Sequence, residues 1–207
     1  MDRLEASSIR VAGLDVSVVE RCTSTNALLR AEPAGRPALL AAELQTAGRG
    51  RHGRRWRSAR GAGATFSLRR RMSCAQRELA GLSIAVGFAT ARALRRLGAR
   101  GIALKWPNDL MLKRRKLGGI LIETLPASFS TGKASVVIVG IGINCRAQRR
   151  LGARLGRGVA ALDEATQRPL PRNAVIGAVS REVLRALSAW ERALGEARGT
   201  ALEQRAA

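Results

Sequence analysis

Three strand-like segments, Ile102–Trp106, Leu110–Leu112 and Lys116–Leu125, follow one another without an intervening helix, and a fourth, the apolar Ser135–Ile143, comes next. The first two are parted by Pro107-Asn108-Asp109, which is turn chemistry, and the next two by basic residues in hairpin fashion. A run of strands with only a few helices favours an α+β fold built on a mixed β-sheet. It counts against a doubly wound parallel sheet and a nucleotide-binding Rossmann unit.

The rest of the chain fits that frame. Leu14–Arg21 alternates loosely, as a half-buried strand does. Thr23-Ser24-Thr25-Asn26 offers N-caps for a short helix, Ala27–Ala31, stopped by Pro33 and Gly35. Ala38–Ala42 reads as a central strand ending at Gln45, a Gly/Arg loop spans Ala47 to Gly63, and Thr65–Leu68 restores a strand. Arg77–Leu97 is the clearest helix, with Leu79, Leu82, Val86 and Leu94 near one face. A last amphipathic helix, Asn173–Leu194, turns Val175, Val179, Val183, Leu187, Trp190 and Leu194 inward. The expected organisation is one domain over residues 1–198 and a polar, frayed tail over 199–207.

Composition narrows the chemistry. With 46% hydrophobic residues the chain is globular, and its apolar stretches are too interrupted to read as membrane spans. Acidic Asp2 and Glu5 stand where a secretory signal would be basic and then apolar, so a cytoplasmic location is expected. Cys22, Cys74 and Cys145 have neither disulfide nor zinc spacing, and His52 is the sole histidine. Chemistry must therefore run on Lys, Arg, Asn, Asp and backbone groups. The formal charge of +22 favours anionic partners, but Arg-rich, Ala- and Gly-rich composition reads equally as a bias spread over a solvated surface.

Four segments carry residues suited to binding anions. In Gln45-Thr46-Ala47-Gly48-Arg49-Gly50-Arg51-His52-Gly53-Arg54-Arg55-Trp56, alternate glycines let backbone N–H groups approach a ligand, and the arginines between them offer forked cationic donors. Trp56 adds a flat face for a purine or the core. No Gly-Lys-Ser/Thr closes the loop, so it is not a Walker loop, and the alternative is a flexible basic loop that binds RNA nonspecifically. Lys105-Trp106-Pro107-Asn108-Asp109 sets an ionisable turn at a strand end, either a site or an ordinary turn. Lys116-Leu117-Gly118-Gly119-Ile120-Leu121-Ile122-Glu123 places a lysine at a strand mouth, where it neutralises an anion or is simply solvated. Gly140-Ile141-Gly142-Ile143-Asn144 ends an apolar strand in a glycine-spaced turn.

Taken in order with Ser24-Thr25-Asn26, these motifs resemble the signature of biotin–protein ligases, over roughly residues 14 to 195. The resemblance implies a fold like class II aminoacyl-tRNA synthetase catalytic domains, a mixed sheet with helices on one face. It implies an enzyme that makes biotinyl-AMP from biotin and ATP, with Mg2+. Biotin then passes to a lysine of the biotin carboxyl carrier protein of acetyl-CoA carboxylase. By the same resemblance Ser24, Thr25, Asn26, Gln45, Arg49, Gly50, Arg51 and Lys116 bind biotin, and Lys116 and Arg51 act in catalysis. Trp56, Asn108, Asp109 and Asn144 fall on the adenylate side, and no resident metal site is implied.

The motif set starts near residue 14, without the N-terminal helix-turn-helix of many bacterial relatives, and only a polar tail follows Leu194 where the family's small β-barrel usually stands. No specific nucleic-acid partner and no membrane partner are therefore expected. Rival readings are a lipoate ligase, a basic nucleic-acid-binding module, and a degenerate relative that binds biotin without transferring it.

Overall fold

A computed structural model describes residues 2–32, 36–57, 59–127, 134–147 and 158–206, with side chains through 198. The Pro33 and Gly35 helix stops lie outside these residues. Seven strands form one sheet: β1 (Asp15–Cys22), β2 (Ala38–Gln45), β3 (Gly63–Met72), β4 (Ile102–Lys105), β5 (Asp109–Leu112), β6 (Arg115–Pro126) and β7 (Ser135–Asn144). Their order across the sheet is β1-β2-β3-β7-β6-β5-β4. Only β1 and β2 run parallel, joined through α1 (Thr25–Ala31), and every other neighbouring pair is antiparallel. The mixed α+β sheet is the one the strand run implies.

The strands alternate as a two-faced sheet demands. Leu39 and Ala41, Phe66 and Leu68, Val139 and Ile141, with Ile120, point to one side. There they meet α2 (Leu82–Arg96) and α3 (Arg172–Ala206) through Val86, Leu94, Val175, Val179, Val183 and Leu187. The two long helices thus share one face. The seven-residue α1 lies on the other, where Leu29 packs against Leu40, Val136 and Ile138. Between these residues and the Gly/Arg loop, this second face also holds the cleft described below.

Two helix ends and one helix cap differ from the sequence reading. The helix expected over Arg77–Leu97 is a 3-10 turn, Gln76–Leu79, then α2 from Leu82, because Gly81 takes φ +85, which no continuous right-handed helix allows. Ser24 occupies the N-cap position of α1 but caps nothing with its side chain. Gln45 does so from the end of β2, its Oε1 accepting the Thr25 N–H at 2.7 Å. Beyond Gly199 the backbone of α3 stays helical to Ala206, where the sequence suggested a frayed tail.

The amino-terminal residues, which carried no sequence signal, are part of the core. Leu4, Ile9 and Val11 are buried with α3, and the Leu4 N–H donates to Glu43 Oε1 at 2.7 Å. Arg172, at the start of α3, is fully buried. Its guanidinium grips Glu43 with two nitrogens, at 2.8 and 3.0 Å, and Asp2 with Nε at 3.2 Å. Arg69 is likewise buried, donating to the Leu29 carbonyl at 3.0 Å beneath the end of α1. These two arginines are therefore not part of the solvated surface over which a compositional bias would spread.

Candidate ligand-binding cleft

A cleft of about 300 Å³ lies on the α1 face, floored by β3, β7 and β6 and roofed by the Gly/Arg loop. The close approach of its walls depends on two glycines of β7. A methyl group on Gly140 would collide with the Asn26 amide, and one on Gly142 would occupy the place of the Trp56 indole. The glycine spacing of Gly140-Ile141-Gly142 therefore makes room for two side chains, while Ile141 between them packs into the core on the opposite face.

The loop is not shapeless. Trp56 N–H donates to the Gly48 carbonyl at 2.9 Å, Gly50 N–H to Arg54 at 2.7 Å and Arg54 N–H to Arg51 at 3.1 Å, which closes residues 48–56 into a short hairpin. His52 and Gly53 at its tip have positive φ, 54 and 70. Trp56 anchors the hairpin over Gly142, and its buried indole N–H has no hydrogen-bond partner among the described residues. The Gly/Arg loop thus takes the form of a folded flap.

One wall carries neutral donors in a connected chain. Gln45 Oε1 accepts from Thr25 N and Thr25 Oγ1, at 2.7 and 3.1 Å. The fully buried Ser67 hydroxyl lies 2.6 Å from both Thr25 Oγ1 and Asn26 Oδ1. Asn26 Nδ2 then donates to Glu123 Oε2 at 2.8 Å. Neither Ser67 nor Glu123 was assigned a role from sequence. Ser67 is an ordinary residue inside an apolar strand, and only its neighbours across the sheet give it meaning. Glu123 left a signal: an acid on the pocket face of a strand whose other face is apolar.

The other end is cationic. Arg51, Arg54, Arg55, Lys105 and Lys116 all line the cleft, facing Asn108 and Asp109 at the turn between β4 and β5. Lys116 Nζ sits 2.6 Å from Asp109 Oδ1. Asn108 is held in place by β6, its carbonyl accepting the Ile120 N–H at 2.9 Å and its Nδ2 donating to the Ile120 carbonyl at 3.0 Å. A second hollow of about 340 Å³ lies next to it, sharing Arg51, Asn108 and Ile120 in its lining.

Of the residues marked in the sequence, Ser24, Thr25, Asn26, Gln45, Arg49, Gly50, Arg51, Trp56, Asn108, Asp109 and Lys116 all line this cleft. Asn144 does not. It is buried at the end of β7, where Nδ2 donates to the Ala160 carbonyl at 3.1 Å and approaches that of Lys116 at 3.5 Å. It braces the strand that carries Lys116. The three cysteines are free and buried, and burial pushes the Cys145 thiol up to about 11, so none is poised as a nucleophile. No described helix is long and apolar enough to cross a membrane.

Neutral hydrogen-bonding groups at one end and permanent cations at the other make a cleft suited to a small anionic ligand with a polar, uncharged part, carried on an open mixed sheet. The chain belongs to the Biotin/lipoate A/B protein ligase family, whose model matches residues 18–144. It is 40% identical over 150 residues to the Bifunctional ligase/repressor BirA of Escherichia coli (strain K12), which covers 72% of this chain and 46% of that protein. It is 37% identical over 137 residues to the Biotin--[acetyl-CoA-carboxylase] ligase of Mycobacterium tuberculosis, covering 62% of this chain and 48% of the relative. The chain thus spans about half the length of these curated relatives. Among solved structures it resembles the biotin protein ligase from Aquifex aeolicus in complex with biotin and ATP. There the TM-score is 0.71 at 29% identity, over 86% of this chain and 72% of that one. The Leishmania major enzyme in complex with biotinyl-5-AMP gives 0.69 at 26% identity, covering 87% and 77%.

Proposed function

We propose that this chain is an ATP-dependent biotin–protein ligase that forms biotinyl-AMP and transfers biotin to a lysine of the biotin carboxyl carrier protein of acetyl-CoA carboxylase. It acts in the cytoplasm. The observation that carries this reading is the cleft's polarity. The Gln45–Thr25–Ser67–Asn26 chain suits a neutral, hydrogen-bonding head group, and Arg51 and Lys116 stand at the cationic end, suited to an acid tail and a phosphate. Relatives whose structures hold biotin with ATP, or biotinyl-5-AMP, support it.

The chemistry needs two anions brought together and the charge growing on phosphorus stabilised. Arg51 and Lys116 serve as the catalytic cations, acting by position and charge rather than by forming a covalent intermediate. ATP suits the cationic end and the flat face of Trp56. Magnesium binds through one or two carboxylates together with phosphate oxygens. Asp109, the carboxylate among the lining residues, fits that need and would help hold the ion, which would neutralise phosphate charge. Lys116, now paired with Asp109 at 2.6 Å, is the cation that would face the reacting carboxylate and α-phosphate.

The test is incubation of the chain with biotin, ATP and a carrier domain. Nucleotide products are resolved by chromatography and the carrier's mass is measured. AMP, pyrophosphate and a biotinylated carrier are expected. ADP with free phosphate, or a carrier modified with lipoate and not with biotin when both are offered, would overturn the reading.

A further inference from the structure

Glu123 lies outside the cleft lining yet is bonded to both of the cleft's walls. Its side chain is largely buried, 13% exposed, on the pocket face of β6. One oxygen, Oε2, accepts from the Asn26 amide at 2.8 Å and so fixes which way that amide points. With Oδ1 facing Ser67, the orientation propagates along the hydrogen-bonded wall to Thr25 and Gln45. The other oxygen, Oε1, pairs with Arg49 of the hairpin at 3.2 Å and with Arg30 of α1 at 3.4 Å. Arg49 is half exposed and stands on the flap. Its pairing with Glu123 is a side-chain tether between flap and sheet, added to the packing of Trp56 over Gly142. It braces the hairpin arm whose Gly48 and Gly50 pair with Trp56 and Arg54.

We propose that Glu123 is a positioning residue of this site: through Arg49 it holds the Gly/Arg flap down on the cleft, and through Asn26 it orients the neutral wall. The flap's closing entropy is then partly met before ligand arrives, so binding is tighter than for an untethered flap. The flap arm of this proposal stands on the structure alone, and its ligand arm rests on the biotin reading above.

The experiment compares the parent chain with Glu123→Gln, Arg49→Gln and the double variant, all ligand-free, by amide hydrogen exchange. Gln at 123 keeps an acceptor for Asn26 but loses the charge that holds Arg49. Exchange at the Gly50 and Trp56 amides is expected to quicken about three- to tenfold in Glu123→Gln, the scale of a partly exposed ion pair. Amides of β3 and β7 should stay at the parent's rate. In the Arg49→Gln background, Glu123→Gln should add nothing. Unchanged flap exchange, or an equal added effect in that background, would overturn the tether. A general loosening of β6 would show as faster exchange throughout the sheet, and would overturn it too.

Biotin titration supplies the second arm. Glu123→Gln should bind biotin about three- to tenfold more weakly, and Glu123→Ala more weakly again because Asn26 loses its acceptor. Equal affinity of Glu123→Ala and parent would remove the wall-orienting role. If the parent itself binds no biotin, the proposed function fails while the exchange arm still decides the flap tether.

Discussion

Lys116 and Asp109 sit 2.6 Å apart in the cleft, each roughly one quarter exposed. A pair so placed is weakly stabilising, because solvent screens it and its members can part at little cost. In the function proposed above, that cation turns from Asp109 to a ligand anion, and a weak pair suits such a change of partner. Replacing Lys116 with Ala should therefore leave the fold nearly unchanged and weaken biotin and biotinyl-AMP binding by about 1.5–3 kcal/mol, the scale of a charged hydrogen bond. Calorimetric titration measures this, and unaltered affinity would remove Lys116 from the site. Asn144 shows the opposite case. A motif residue whose type suits ligand binding is buried with its Nδ2 on backbone carbonyls, and it braces the strand that carries Lys116.

At the scale of elements, backbone conformation decides where segments begin and turn. The two-residue link between β5 and β6 places both Lys113 and Arg114 in the left-handed region, φ 48 and 63. Tight hairpins demand this, because such a turn matches the twist of its strands, and Asn-Gly meets the demand without strain. Arg114→Gly should therefore stabilise the fold by about 0.5–1 kcal/mol, the relief of left-handed strain being offset partly by a more flexible unfolded chain. Chemical denaturation would show it as a raised midpoint at unchanged slope, and a lowered midpoint would mean that the Arg114 side chain contributes more than its exposed position indicates. The same logic ends the preceding turn at Gly81 and begins α2 at Leu82, which shortens the helix read from apolar periodicity. Periodicity counts apolar positions and is blind to the one residue that turns left-handed.

At the scale of the whole molecule, the arginine excess is partly structural. Arg172 draws Asp2, Glu43 and the start of α3 together, and Glu182 of α3 is bridged to α2 by Arg92 and Arg96. Burial by itself would raise the Glu43 carboxyl, but hydrogen bonds from the Arg172 guanidinium and the Leu4 amide outweigh it and hold it below the usual range. Asp2 is lowered against the same burial by Arg172, and Glu182 against its own by Arg92 and Arg185. A carboxyl that is more acidic folded than unfolded contributes stability fully above its unfolded value, and the contribution fades as pH falls through that value toward the folded one. Stability should thus be flat above about pH 5 and decline steeply below it. Arg172→Met, which strands Glu43 in the core, should cost about 3–5 kcal/mol at neutral pH and flatten that acid decline. Thermal denaturation across pH measures both, and an unchanged acid profile in the variant would contradict the assignment.

Much of the site was legible in the sequence because its chemistry is written locally. The Gly/Arg loop, the Asn108-Asp109 turn, Lys116 at a strand mouth and the Gly140/Gly142 spacing are short-range patterns, and each stands in or against the cleft. The mixed sheet was equally legible, since consecutive strands with short links leave few ways to pair. What only the tertiary structure decided are the relations between distant positions. Gln45, not Ser24, caps α1; Ser67 and Glu123 join the wall; the residues before β1 are core; and Asn144 faces inward. The physical reason is that hydrogen bonds and burial are satisfied across the sheet, between residues 20 to more than 100 positions apart, and no local periodicity records which partner the fold brings near.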